Sequence, residues 1–290
     1  MKTLLFTSVL LASSGILGDT YPSLNQGQIQ WLGEQIYNNE CNSQPACLTA
    51  WNEGEDFPSM GIGHFIWYQE NQQEIFTESF PDLIHFMQQS DIQIPDWLIA
   101  TNLEAPWRDR GEFLTDQDSE RMKMLRNFLA THTREQTAFI INRFEDSLVS
   151  MLESVTSDET ELGNEQKFKS TQDHIEENFF KVANSHTPYG LYALIDYVNF
   201  KGTGVSSLET YNGQGWGLKQ VLLEMAALDE LREMPESLQA FAEAASRVLT
   251  RRVENAPPER NETRWLTGWN NRLETYLPPI SVYSDLENAL

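Results

Sequence analysis

A single stretch interrupts the helical patterning of this chain. Between Leu48 and Trp67 the sequence turns to aromatic and β-favoured residues, broken by Asn52-Glu53-Gly54-Glu55 and by Gly61 and Gly63. A short β-hairpin or three-stranded ribbon is expected there. Upstream, Ile29, Leu32, Ile36 and Tyr37 recur at helical spacing over residues 26–39, and Asn25 can cap the start. Downstream, apolar spacing predicts helices over roughly 72–90, 117–130, 133–154, 169–184, 188–200, 216–231, 235–254 and 261–276. Residues 91–110, with Pro95 and Pro106, read as a loop, and so does the acidic, Ser/Thr-rich run 154–165. No internal repeat is present. The pattern places the chain in the α+β class, mostly α, and 290 residues suffice for one large domain or a small domain with an elaborate insertion.

The first eighteen residues carry Lys2, an apolar run from Leu4 to Ala12 and small residues to Gly18, the pattern of a secretory signal peptide. Residues 19–290 would then form the mature, exported chain, secreted or periplasmic. No later segment approaches the roughly twenty apolar residues of a membrane span. Cys41 and Cys47 are the two cysteines, in a polar, Pro-containing stretch that enters an oxidising compartment, so they are expected to pair; the competing readings are two unrelated thiols or half of a metal site. Net charge is −23, and loss of residues 1–18, which hold one lysine and no acid, makes it −24. Such a charge disfavours nucleic acid, whose phosphates need clustered Lys and Arg, and removes the electrostatic steering that a basic protein enjoys toward anionic walls. Plain solubility is the simpler meaning of the acidity.

Glu40 ends the first predicted helix, where the helix dipole disfavours carboxylate charge, a position that suits a proton donor. Glu53 follows in the β-favoured stretch, then Ser59 and Met60-Gly61-Ile62-Gly63-His64. This order resembles the active-site segment of the phage-type lysozymes, in which a helix ends in the acidic general acid, a hairpin carries an Asp, and a Thr opens the run Thr-Ile-Gly-Ile-Gly-His. Five residues separate Glu53 from Ser59, as they separate Asp from Thr in that family. The Glu40–Glu53 interval is longer, and the excess falls on Cys41-Asn42-Ser43-Gln44-Pro45-Ala46-Cys47. Two further echoes keep the family's order: Ala193-Leu194-Ile195-Asp196-Tyr197-Val198-Asn199-Phe200-Lys201-Gly202-Thr203-Gly204, and Val248-Leu249-Thr250-Arg251-Arg252-Val253-Glu254. Residues 70–185 have no counterpart and read as a helical insertion.

The resemblance implies a lysozyme-like fold with a small β-hairpin lobe and a helical lobe, acting on peptidoglycan or a related glycan. It makes Glu40 the general acid, Glu53 the base that activates water and Ser59 a hydroxyl that holds that water, with Arg251 or Arg252 as a cationic partner for Glu40; Asn199 and Trp216 are candidate substrate-binding residues beside these. Glu55 and Asp56 compete with Glu53 for the second carboxylate. Glu for Asp and Ser for Thr are departures, and they keep open a lytic transglycosylase that needs Glu40 alone, or an inactive glycan-binding protein. His64 reads as a partly buried imidazole bonded to backbone or carboxylate, or as a substrate-binding residue. The histidines at 64, 85, 132, 174 and 186 show no His-Glu-x-x-His spacing, so no metal is expected, and no cofactor motif is found. Tyr211-Asn212-Gly213-Gln214-Gly215-Trp216-Gly217 reads as a loop feeding a helix near Trp216, or as a flexible cleft wall whose aromatic face meets a sugar ring. A monomer is expected.

Overall fold

Helix starts in this chain follow its capping side chains. In the computed structural model, which describes residues 22–74, 76–155, 165–225 and 236–279 (backbone alone for 165–169 and 236), α1 runs Gln26–Cys41. Asn25 Oδ1 accepts the Gln28 N–H at 3.0 Å while Gln28 Oε1 accepts the Asn25 N–H at 2.9 Å, a reciprocal cap that satisfies two donors a helix start leaves free. The expected leader, residues 1–18, lies outside the described residues, as does most of the run 154–165. The chain divides into two compact units, Ile29–Arg143 and the remainder, and the division falls inside segment 70–185.

In the first unit, a 3-10 turn at Pro45–Leu48 leads into β1 (Thr49–Ala50), β2 (Ser59–Met60) and β3 (Phe65–Ile66). The strands form one antiparallel sheet in the order β1-β2-β3, with Ser59 opposite Ala50 on one side and Ile66 on the other. The three-stranded ribbon expected between Leu48 and Trp67 is therefore present. Around it stand α2 (Phe80–Gln89), α3 (Asp96–Ala100), α4 (Arg110–Asp116), α5 (Glu120–Thr131) and α6 (Thr133–Glu145). Trp67, fully buried, anchors the core: its ring packs 4.7 Å from Phe80 and 5.5 Å from Trp107, and its Nε1 donates to the Leu103 carbonyl at 2.6 Å. Burial of each such ring contributes about 2–3 kcal/mol.

The predicted helix 72–90 begins only at Phe80. Before it, Glu78 accepts the Tyr68 N–H at 2.7 Å and Gln72 the Gln69 N–H at 3.2 Å, side-chain acceptors that tie 72–74 and 76–79 without helix. The predicted helix 117–130 starts at Ser119, which caps α5; the expected loop 91–110 is interrupted by α3 (Asp96–Ala100), and Asp109 at its end caps the separate α4. Asp146 divides the predicted helix 133–154 into α6 and α7 (Ser147–Glu153).

Among its described residues the second unit is helical, with one two-stranded hairpin. After α7 come α8 (Glu165–Ala183), α9 (Tyr189–Lys201), β4 (Thr210–Tyr211), β5 (Gln214–Gly215), α10 (Leu218–Glu224), α11 (Glu236–Asn255) and α12 (Thr263–Glu274). Every residue from Gly190 to Val198 is buried, so α9 is the central rod, apolar on all sides except at Asp196. That carboxylate receives Arg272 Nε and Nη2, each at 2.8 Å, and the Tyr276 hydroxyl at 2.7 Å. Residues 211–217 differ from expectation: Asn212 and Gly213, both at positive φ, close a two-residue hairpin, and α10 begins only at Leu218. Among the described residues no helix is long and apolar enough to cross a membrane.

Candidate functional site

Glu40 lies in the last turn of α1, with its side chain 13% exposed. Its Oε2 stands 3.5 Å from His64 Nδ1, so carboxyl and imidazole can share a proton, either as carboxylate with imidazolium or as two neutral groups. His64 arrives there on the turn that links β2 to β3. Gly61, at φ +73, opens that turn and donates its N–H to the Leu48 carbonyl at 2.9 Å. His64 itself sits at φ +47, a conformation uncommon for a side chain of this size.

Gln136, on α6, fixes the turn. This fully buried amide accepts the Ile62 N–H at 2.9 Å and donates to the Leu129 carbonyl at 2.7 Å, and a Cβ on Gly61 would stand 2.2 Å from its Oε1. Sequence reading missed Gln136, because nothing local marks a partner 74 positions away. The expected sharp path at Gly61 is explained by it.

Cys41 and Cys47 form the expected disulfide. His64 Nε2 faces both sulfurs, 3.1 Å from Cys47 Sγ and 3.5 Å from Cys41 Sγ. Cys41, Cys47 and His64 thus form a group with metal-site dimensions, yet paired sulfurs lack the thiolate charge that zinc needs.

Ser59 is 3% exposed, in the middle strand of the sheet. Glu53 is exposed at the tip of the β1–β2 turn, which is tied by the Glu55 N–H to the Asn52 carbonyl at 3.3 Å and by Trp51 Nε1 to the Glu55 carbonyl at 2.7 Å. Glu55 is half-buried and accepts from Asn52 Nδ2 at 3.1 Å. Glu40, Ser59 and His64 come from one helix end and its adjoining sheet, whereas Glu53 stands out in solvent.

The remaining predicted site residues belong to the second unit. Asn199 is half-buried on α9. Trp216 is 2% exposed, with the Arg252 guanidinium 4.1 Å above its ring and Tyr211 at 4.7 Å, so its faces are occupied by protein. Arg252 binds Glu262 through Nε at 2.7 Å and Nη2 at 2.9 Å, and Arg251 reaches Glu224 at 3.0 Å. Burial alone would raise the Glu262 carboxyl, but Arg252 and the Tyr211 hydroxyl hold it below the ordinary carboxylate range.

A separate polar cleft of about 540 Å³ opens in the first unit, lined among others by Tyr68, Gln69, Glu78, His85, Asn102 and Glu104. Burial, together with the charges of Asp82 and Glu104, pushes the Glu78 carboxyl up against the opposing Tyr68 N–H. None of Glu40, Glu53, Ser59 and His64 lines this cleft.

No protein-family model, curated protein or solved structure matches the chain.

Proposed function

We propose that this chain is an exported glycosidase of lysozyme-like fold that cleaves peptidoglycan glycan strands, with Glu40 as the general acid. The observation that carries the reading is the setting of Glu40: a largely covered carboxyl at a helix C-terminus, beside an imidazole 3.5 Å away that can exchange a proton with it. Glycosidic cleavage needs a protonated carboxyl at the leaving oxygen, and a carboxyl with an adjacent proton store can return to that state after each turnover. In the hydrolytic form of the proposal Glu53 activates water and Ser59 orients it. The exposure of Glu53 favours a second form, lytic transglycosylation, in which Glu40 serves as acid and then base and the sugar's own hydroxyl closes an anhydro ring. An inactive glycan binder is the remaining form.

Incubation with purified peptidoglycan and mass analysis of the fragments separates these forms. Reducing ends mean hydrolysis, anhydro ends mean transglycosylation, and absence of fragments overturns the enzymatic reading. Glu40→Gln keeps the shape but cannot donate the proton, so the cleavage rate is expected to fall at least about a hundredfold with folding retained. Unchanged turnover in this variant would remove Glu40 from the mechanism.

A further inference from the structure

We infer that Cys41–Cys47 is an exchange-active disulfide, reduced and re-formed by dithiol partners, with His64 as its proton donor and acceptor. Three observations carry this. The two cysteines differ in exposure: Cys41, the last residue of α1, is 4% exposed, whereas Cys47, in the turn that follows, is only partly buried. One imidazole nitrogen faces both of them, at 3.1 and 3.5 Å. The other imidazole nitrogen faces the Glu40 carboxyl, so the imidazole is oriented from behind, and the imidazolium that forms when it takes a thiol proton meets a carboxylate. A purely structural staple needs neither the shared nitrogen nor the carboxyl behind it. The inference does not rest on glycan cleavage.

The exchange balances as follows. A thiolate of an external dithiol attacks the sulfur of the more exposed Cys47, forming a mixed disulfide and breaking the Cys41–Cys47 bond. The electron pair of that bond leaves on Cys41, and His64 Nε2–H delivers a proton to it. The dithiol's second thiolate then attacks the partner sulfur of the mixed disulfide, closing the partner's own disulfide and releasing Cys47, which takes a proton by the same route. Two electrons pass from the dithiol to the chain; the dithiol's two thiol protons are released to solvent as it ionises, and the two that the cysteines take up come from solvent through His64, which is reprotonated after each delivery. In reverse, His64 removes the Cys47 proton and the thiolate attacks an oxidised partner. Cys47 and Cys41 are the reacting residues, His64 touches both reacting atoms, and Glu40 is a positioning residue.

The test uses the full oxidised chain with dithiothreitol as the dithiol and oxidised glutathione for the reverse step, under native conditions. Asn tolerates positive φ, so His64→Asn preserves the turn, and a thermal melt verifies this. Its exchange rate is expected to fall about a hundredfold, the scale of positioned proton transfer. Glu40→Gln should lower the rate less, and Glu40→Asp should restore part of it, which a merely structural carboxyl would not produce. In Cys41→Ser, oxidised glutathione should form one adduct, on Cys47, at a rate that also depends on His64. Should that variant fail to fold, alkylation of the wild-type chain after partial reduction supplies the same readout, with Cys47 labelled before Cys41. The inference is overturned if His64→Asn exchanges within about twofold of wild type, if Cys41 is labelled first, or if the folded chain resists dithiothreitol that reduces the unfolded chain.

Discussion

Glu78 shows how one residue can work against the fold that holds it. Its carboxyl accepts the Tyr68 N–H, yet burial and the charges of Asp82 and Glu104 leave its ionised form disfavoured relative to the unfolded chain, where the ordinary value is 4.5. A raised value in the fold means that stability from this group is complete below about pH 4.5 and declines as pH rises through the folded value. Glu78→Gln retains an oxygen for Tyr68 and discards the charge, so its melting temperature should exceed wild type at pH 7 and coincide with it near pH 4. Thermal melts at the two pH values decide this; a lower melting temperature at pH 7 would mean the hydrogen bond to the charged form outweighs burial. The Glu40 neighbourhood has a comparable economy of means. The succession of helix end, strand and glycine turn that carries Glu40, Ser59, Gly61 and His64 was legible in the sequence, because these elements follow one another within 25 residues; the roles given to the side chains came from the resemblance. Gln136 was not legible, since an isolated amide inside a helix carries no local sign that a distant turn closes on it.

At the scale of elements, the sequence showed the start of α1 and the ribbon after it because capping chemistry and alternation are local. It missed α3 and α4, of five and seven residues, because helices this short carry too few turns for an apolar period to show. Asn212-Gly213 is a strong hairpin signal that lacked flanking alternation, each strand being two residues long. Long-range ties stayed invisible. Arg252 and Glu262 bridge the end of α11 to the start of α12, both less than a tenth exposed, and Tyr211 adds a third member. Removing one member leaves a buried charge, so Arg252→Met should cost about 3 kcal/mol or more in urea unfolding at pH 7. Because Arg252 holds the Glu262 carboxyl below its ordinary 4.5, this stabilisation is present above that pH and is lost as pH falls through the lowered value. The gap between variant and wild type should therefore narrow in acid. A gap independent of pH would assign the loss to packing on Trp216 instead. Gly190, at the start of α9, has no room for a side chain: a Cβ would stand 2.0 Å from the Val182 carbonyl oxygen and 2.5 Å from that of Ser185. Both obstacles are backbone, so Gly190→Ala should destabilise by about 3 kcal/mol, the upper end of ordinary overpacking; a loss below about 1 kcal/mol would show that α8 and α9 can separate there.

For the whole molecule, charge governs encounter. Under the proposed glycan reading, a chain of net charge −23 would approach that anionic polymer against long-range repulsion. Raising ionic strength from about 0.01 M to 0.15 M shortens the Debye length from about 30 Å to about 8 Å, so cleavage of soluble peptidoglycan fragments should speed up with salt. Several cations are already committed inside the fold: Arg252 to Glu262, Arg272 to Asp196, and Lys201 over the Trp269 ring at 3.7 Å. A monotonic fall of initial rate with salt would mean the acids are segregated from the surface that meets the glycan. The division into two units has an optical consequence as well. Trp31, Trp51, Trp67, Trp97 and Trp107 belong to one unit and Trp216, Trp265 and Trp269 to the other, so each carries its own intrinsic fluorophores. In the second, Trp216 lies beneath a guanidinium, while in the first Trp67 is enclosed by other rings. Single-tryptophan emission can therefore follow each unit's unfolding separately, and noncoincident curves would reveal a chain whose halves melt in turn rather than together.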